Sequence, residues 1–139
     1  MKSILFRTLL LQVFVAVPLG RADVSVAPLF TDHAVLQRGK PIPVWGDAAP
    51  GEEITVTFRD VQSSTIAGTN GKWRVELPAQ EPGEASEFVI AGTNRIVLRD
   101  VVVGDVWLCS GQSNMAFTVE KTDNAAEVIA EANAPLIRQ

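Results

Sequence analysis

Residues 54–59 read ITVTFR and residues 72–77 read KWRVEL. In the first run Ile54, Val56 and Phe58 alternate with Thr55, Thr57 and Arg59; in the second Trp73, Val75 and Leu77 alternate with Lys72, Arg74 and Glu76. A period of two belongs to a strand with one face buried. The register therefore predicts Val56, Phe58, Trp73 and Val75 on inward faces, because a slip by one residue would turn every one of them to water. Asn70-Gly71, just before the second run, is a tight-turn signal, since both central positions of such a turn take positive φ. Further short runs at 43–45, 88–90 and 96–98 are separated by APGEE (49–53), EPGEA (81–85) and AGTN (91–94). Short strands punctuated by Gly- and Pro-bearing turns predict an antiparallel β-sandwich over residues 23–103. Nothing in this region converges on chemistry.

The pattern changes near Gly104. VWLC (106–109) is an unbroken apolar run, as expected of a strand covered on both faces in an α/β domain. A polar turn comes next, and then DNAAEVIAEANAP (123–135) places Ala125, Val128, Ile129 and Ala132 at helical spacing. Asn124 is the candidate N-cap, three residues before Glu127, and Pro135 lies beyond the helix end. Strand, polar turn and helix form the opening unit of an α/β domain. One such unit cannot bury a core alone, so residues 104–139 are expected to be the incomplete start of a second domain, and this mainly β chain the N-terminal part of a longer protein.

The front of the chain reads as a processing signal. Lys2 and Arg7 flank the start of an apolar run from Leu9 to Val17, and Gly20 and Ala22 stand three and one residues before Asp23. Residues 1–22 are expected to be a secretory signal cleaved after Ala22, with a secreted or periplasmic product. A membrane anchor is the alternative, but the run falls short of the ~20 residues a hydrocarbon core requires. Cleavage would remove Lys2, Arg7 and Arg21 and no acid, leaving 9 basic and 16 acidic side chains, a net charge of −7. An acidic surface without a basic run argues against nucleic acid or an anionic membrane as partner. Cys109 is the sole cysteine and cannot form an internal disulfide; within an apolar strand it reads as a small buried hydrophobe. One cysteine and one histidine cannot supply a usual metal set, so no metal or other cofactor is expected.

The chemistry-bearing candidates lie after the apolar run, at Ser110, Gly111, Gln112, Ser113 and Asn114. Ligands of open α/β sheets bind beyond the carboxyl ends of the strands, where a serine is exposed and nearby N–H groups can face an oxyanion. Ser110 and Ser113 compete for such a role, and for both the alternative is a capping or turn serine. The segment Gly111-Gln112-Ser113-Asn114-Met115 lacks the second glycine of the G-x-S-x-G elbow. Gln112 and Asn114 carry amides suited to orienting a loop or a substrate hydroxyl, or to bonding their own backbone. Trp45, Trp73 and Trp107 fall at apolar positions and read as core rather than as sugar platforms.

The string GDVWLCSGQSNM (104–115), with LFTDHAVLQRGKPIPVWGDAAPGEEITV (29–56) upstream and KTDNAAEVIAEANAPLIRQ (121–139) downstream, closely resembles the N-terminal part of the sialate O-acetylesterase family, which are SGNH-type esterases. The resemblance covers nearly all of residues 23–139. It implies that Ser113 is the nucleophile, with Gly111, Gln112 and Asn114 as the substrate or oxyanion loop, and that the β region is an accessory sandwich before an esterase domain. It also implies an O-acetylated sialic acid or other acetylated glycan as substrate. The chain departs from the family in having Ala34 where a methionine commonly follows the Asp-His pair, and Ala116-Phe117 where an acidic residue and an aromatic often stand.

A serine is a weak nucleophile near neutral pH and needs a base, normally a histidine oriented by a carboxylate. The one histidine, His33, neighbours Asp32, yet adjacent residues of an extended chain point to opposite faces, and His33 reads as a structural residue of the sandwich. In the resembling family the base and its carboxylate come from a late D-x-x-H segment, and further oxyanion donors come from later blocks. None of these occurs in this sequence, so residues 23–139 alone are expected to be inactive. The alternative to an ester hydrolase is a secreted β-sandwich module that binds carbohydrate or protein without catalysis.

Overall fold

The computed structural model describes residues 23–138; the expected leader and its cleavage after Ala22 lie outside the described residues. Eight strands form two sheets: β1 (Ser25–Val26), β3 (Ile42–Asp47) and β6 (Lys72–Leu77) in order β1-β3-β6, and β2 (Val35–Gln37), β8 (Arg95–Gly104), β7 (Ser86–Ala91), β4 (Glu53–Phe58) and β5 (Val61–Ile66) in order β2-β8-β7-β4-β5. The alternation read from the sequence is the alternation of burial. Val56 and Phe58 are fully enclosed, Trp73 is 3% exposed and Val75 8%, while Lys72, Arg74 and Glu76 face water. With Ile54, Leu77, Phe88, Ile90 and Val101 they form one core between the sheets. The Trp73 indole enters it without an unpaired donor, its Nε1–H shared between the Ser25 and Asp47 carbonyls at 3.2 Å each.

The sheet edges depend on close backbone approach. Gly46 pairs with Val26, and a Cβ there would lie 2.0 Å from the Ser25 carbonyl oxygen, so only glycine lets β1 close against β3. Asn94 ties down the same end of the chain, accepting from the Val24 N–H at 2.6 Å and donating to the Val24 carbonyl at 3.0 Å.

Several expectations need correction. The sandwich is not wholly antiparallel: β2 runs parallel to β8, with Val35 opposite Val102 and Gln37 opposite Gly104. A three-residue edge strand carries too little pattern to disclose its direction. Asn70-Gly71 does end a tight turn, the Gly71 N–H donating to the Gly68 carbonyl at 2.9 Å, but the turn carries the chain from β5 in one sheet to β6 in the other, and of its two residues only Gly71 takes positive φ.

Beyond Gly104, of the expected strand, turn and helix, only the turn and the helix are present. Residues 105–110 are irregular and exposed, because a strand needs a hydrogen-bonded neighbour and a cover for its apolar faces, and no described strand adjoins them. Cys109 is consequently exposed rather than buried. Trp107 is 83% exposed and Trp45 is half-exposed, leaving Trp73 as the tryptophan of the core. The helix α1 spans Ala125–Glu131 with Asn124 at the N-cap, although the Asn124 side chain makes no capping bond. Val128 and Ile129, its apolar stripe, face water.

Candidate active site

The strand β8 delivers the chain at Gly104 to the polar segment, and main-chain bonds shape the turn over residues 112–117. The Gln112 carbonyl accepts from the N–H groups of Met115 (3.0 Å) and Ala116 (3.3 Å), and the Asn114 carbonyl accepts from Phe117 at 3.4 Å. Ser113 therefore sits within a hydrogen-bonded turn with its side chain open to solvent, and Ser110 is exposed just before it. Gly111 enters this turn at φ 155, and a Cβ there would press on Met115 Cγ at 2.9 Å. Glycine is thus favoured at the residue that brings the chain into the serine turn, since another residue would be strained at this φ and would displace the Met115 side chain. The turn uses the backbone carbonyls of Gln112 and Asn114, which leaves both amide side chains exposed beside Ser113. Met115 and Phe117, each about half-exposed, stand on the same segment.

No hydrogen bond joins His33 to Ser110 or Ser113 among the described residues. His33 instead meets Asp100, with 2.5 Å between Nδ1 and Oδ2. The partner arises from a β-bulge: pairing steps two residues along β7, from Ser86 to Phe88, but three along β8, from Leu98 to Val101. Asp100 occupies the extra position at φ 55, and the bulge turns its carboxylate outward. Asp32 is a neighbour of this arrangement and not the histidine's partner. Its Oδ1 accepts from the Arg99 N–H at 2.7 Å, while the Arg99 carbonyl accepts from the His33 N–H at 2.9 Å. Asp32-His33 thus closes over a bulge whose backbone groups the β7–β8 ladder leaves open, a structural role at the sandwich rim.

A third side chain completes the cluster. Arg138 donates from Nη2 to Asp100 Oδ1 at 3.0 Å and from Nη1 to the Asp100 main-chain carbonyl. The His33 hydrogen bond holds the Asp100 carboxyl below its ordinary range; partial desolvation opposes this and Arg138 reinforces it. Sequence reading missed both Asp100 and Arg138. Asp100 lies 67 residues from His33, and nothing in a periodic apolar pattern announces a bulge.

Among the described residues no cluster of three or more His, Cys, Asp or Glu is placed to hold a metal ion. No family model matches the chain. It is similar to mammalian sialate O-acetylesterases: 36% identical to that of Mus musculus over 102 residues, covering 66% of this chain and 19% of the relative, and 34% identical to that of Homo sapiens with 66% and 20% covered. Among solved structures it resembles a carbohydrate acetylesterase from Xanthomonas citri, with a TM-score of 0.75 and 36% identity over 81% of this chain and 26% of that one. The resemblance to the sialate O-acetylesterases is thus borne out by sequence, and the fold is that of part of a carbohydrate acetylesterase. The chain spans about a fifth of the length of the curated relatives it matches.

Proposed function

We propose that this chain supplies the accessory sandwich and the nucleophile-bearing segment of a secreted carboxylic-ester hydrolase that removes O-acetyl groups from sialic acid or another glycan. The observation that carries the reading is an exposed Ser113, in a turn shaped by Gly111 and backbone bonds, within a chain similar to acetylesterases in both sequence and fold. Residues 1–22 are the cleaved leader in this reading, residues 23–103 the sandwich, and residues 104–139 the opening of an SGNH-type domain.

In the reaction Ser113 Oγ attacks the acetyl carbonyl as its proton passes to a base. The resulting oxyanion collapses, the sugar hydroxyl leaves with a proton, and an acetyl ester remains on Ser113. Water attacks that ester, acetate departs, and Ser113 regains its proton. Oxyanion stabilisation by aligned N–H groups contributes about 10²–10³ in rate in such enzymes, so a turn that fixes the backbone of residues 111–114 is suited to the task. In this reading the base comes from outside this sequence: His33 has its Nδ1 against the Asp100 carboxylate, as a triad histidine would, but among the described residues it makes no hydrogen bond to Ser110 or Ser113.

The test is a chimera in which residues 23–139 replace the equivalent part of the Xanthomonas citri acetylesterase, treated with a fluorophosphonate that labels activated serines. Peptide mass spectrometry should find the label on Ser113. Labelling of the folded chimera at Ser110, or at no serine of this chain, would contradict the assignment.

A further inference from the structure

From Asp105 to Ile137 the chain lies on the surface, with no residue in the core. Two sets of polar contacts hold its ends. At the start, Arg38 Nε donates to Asp105 Oδ1 at 2.9 Å and Gln37 Oε1 accepts from the Val106 N–H at 3.0 Å. At the far end Arg138 grips Asp100 through both its carboxylate and its main-chain carbonyl. The exposures there invert the usual order. The Arg138 side chain is 15% exposed, while the apolar Leu136 and Ile137 before it are 78% and 76% exposed. Hydrophobic packing would bury the two aliphatic residues and leave the guanidinium in water. The tail is therefore located by the charged contact and not by its apolar side chains.

Asp100 is prepared for that contact. The bulge turns its carboxylate outward, and His33 occupies Oδ2, leaving Oδ1 for Arg138. We propose that the bulge at Asp100, braced by His33, is a docking point that closes residues 105–138 into a strap, fastened at both ends to the β2–β8 edge of the sandwich. Gln37 and Arg38 stand at the end of β2 and Asp100 within β8, so both fastenings lie on one pair of adjacent strands. The meaning for catalysis rests on Ser113 being the nucleophile, in which case Asp100 is a positioning residue acting through the strap; the docking itself does not depend on that reading.

The experiment uses a nitroxide at Ala134→Cys in the whole chain, with Cys109→Ser to make the label unique. Its electron paramagnetic resonance line shape should show a mainly immobilised label. Asp100→Asn keeps a side chain that tolerates positive φ and removes the charge, and Asp100→Gly relieves that φ altogether, so the bulge survives both changes. Each should raise the mobile fraction several-fold, as should Arg138→Gln, while the thermal transition of the sandwich is retained. Arg138→Lys, which keeps the charge without the fork, should fall between the wild type and Arg138→Gln. The double variant Asp100→Asn/Arg138→Gln should be no more mobile than either single one. Equal mobility in the wild type and in Asp100→Gly and Arg138→Gln would overturn the proposal, as would fully additive effects in the double variant. An inert Ser113 would leave the line shapes unchanged, so failure of the esterase reading is separately visible.

Discussion

His33 and Asp100, 67 residues apart in sequence, meet with 2.5 Å between Nδ1 and Oδ2, and both hold left-handed backbone conformations at φ 65 and φ 55. The contact thus joins two non-glycine residues in left-handed conformations, one on the Asp32-His33 turn and the other in the β8 bulge. His, Asp and Asn are the side chains that tolerate this region best. The pair is a charge-bearing joint on the surface, and it has a pH signature.

The Asp100 carboxyl lies below its ordinary value of 3.8, chiefly through the His33 hydrogen bond, so the folded state favours the ionised form. A carboxyl lowered on folding contributes stability above its unfolded pKa and loses it as the pH falls through the lower native one. The stability difference between the wild type and Asp100→Asn should therefore shrink as the pH falls below about 4. Urea midpoints measured from pH 2.5 to 7, on the order of the carboxylate range, would show it. A difference that grows as the pH falls below about 4 contradicts the pairing.

The register of β6 separates two adjacent residues. Val75 is 8% exposed in the core, so Val75→Asp should lose roughly 3 kcal/mol or more as an unpaired charge is forced inside. Arg74 faces water, bonded to Glu76 at 2.9 Å, and Arg74→Asp should stay within about 1 kcal/mol. A denaturation series on the two variants checks this, and equal losses would mean the faces are exchanged.

Much of this fold is legible because burial follows a period of two where strands are long enough to show it, as in β4 and β6. The strand β5, VQSSTI, escapes notice since its phases hold little apolar contrast, and β1 and β2 are too short to carry a pattern. VWLC misleads for a different reason: an apolar run states a preference for burial but does not supply the neighbour that provides it. Within the site, Gly111, Gln112, Ser113 and Asn114 stand together in one turn because they are contiguous. The Asp100–Arg138 contact is non-local and depends on a bulge, which no local pattern encodes.

Glycine at position 46 is needed for space and not for φ. Gly46→Ala would place a methyl 2.0 Å from the Ser25 carbonyl oxygen, so β1 must move and about 2 kcal/mol or more should be lost. Gly39→Ala meets nothing within 4 Å and bears only the strain of φ 66, about 1 kcal/mol. Thermal melting of both variants gives the comparison, and a larger loss at Gly39 would contradict the close approach of β1 to β3.

If residues 1–22 are a leader, the exported protein begins at Asp23. Intact-mass measurement of protein recovered from outside the cytoplasm should match residues from Asp23 onward, and a mass that retains Met1 would contradict export by cleavage.

In the proposed reaction Ser113 is the nucleophile of an acetylesterase and its base lies outside this sequence. The most direct measurement is the turnover of an aryl acetate by the Xanthomonas citri chimera and its variants, beside residues 23–139 alone. Ser113→Ala should lower kcat by on the order of 10⁴–10⁶, as removal of a triad member does. Ser110→Ala and His33→Ala should keep most of the activity, and residues 23–139 alone should show essentially none. Turnover by residues 23–139 alone that survives Ser113→Ala, or that stops with His33→Ala, would rule out Ser113 as a nucleophile served by a base outside this sequence.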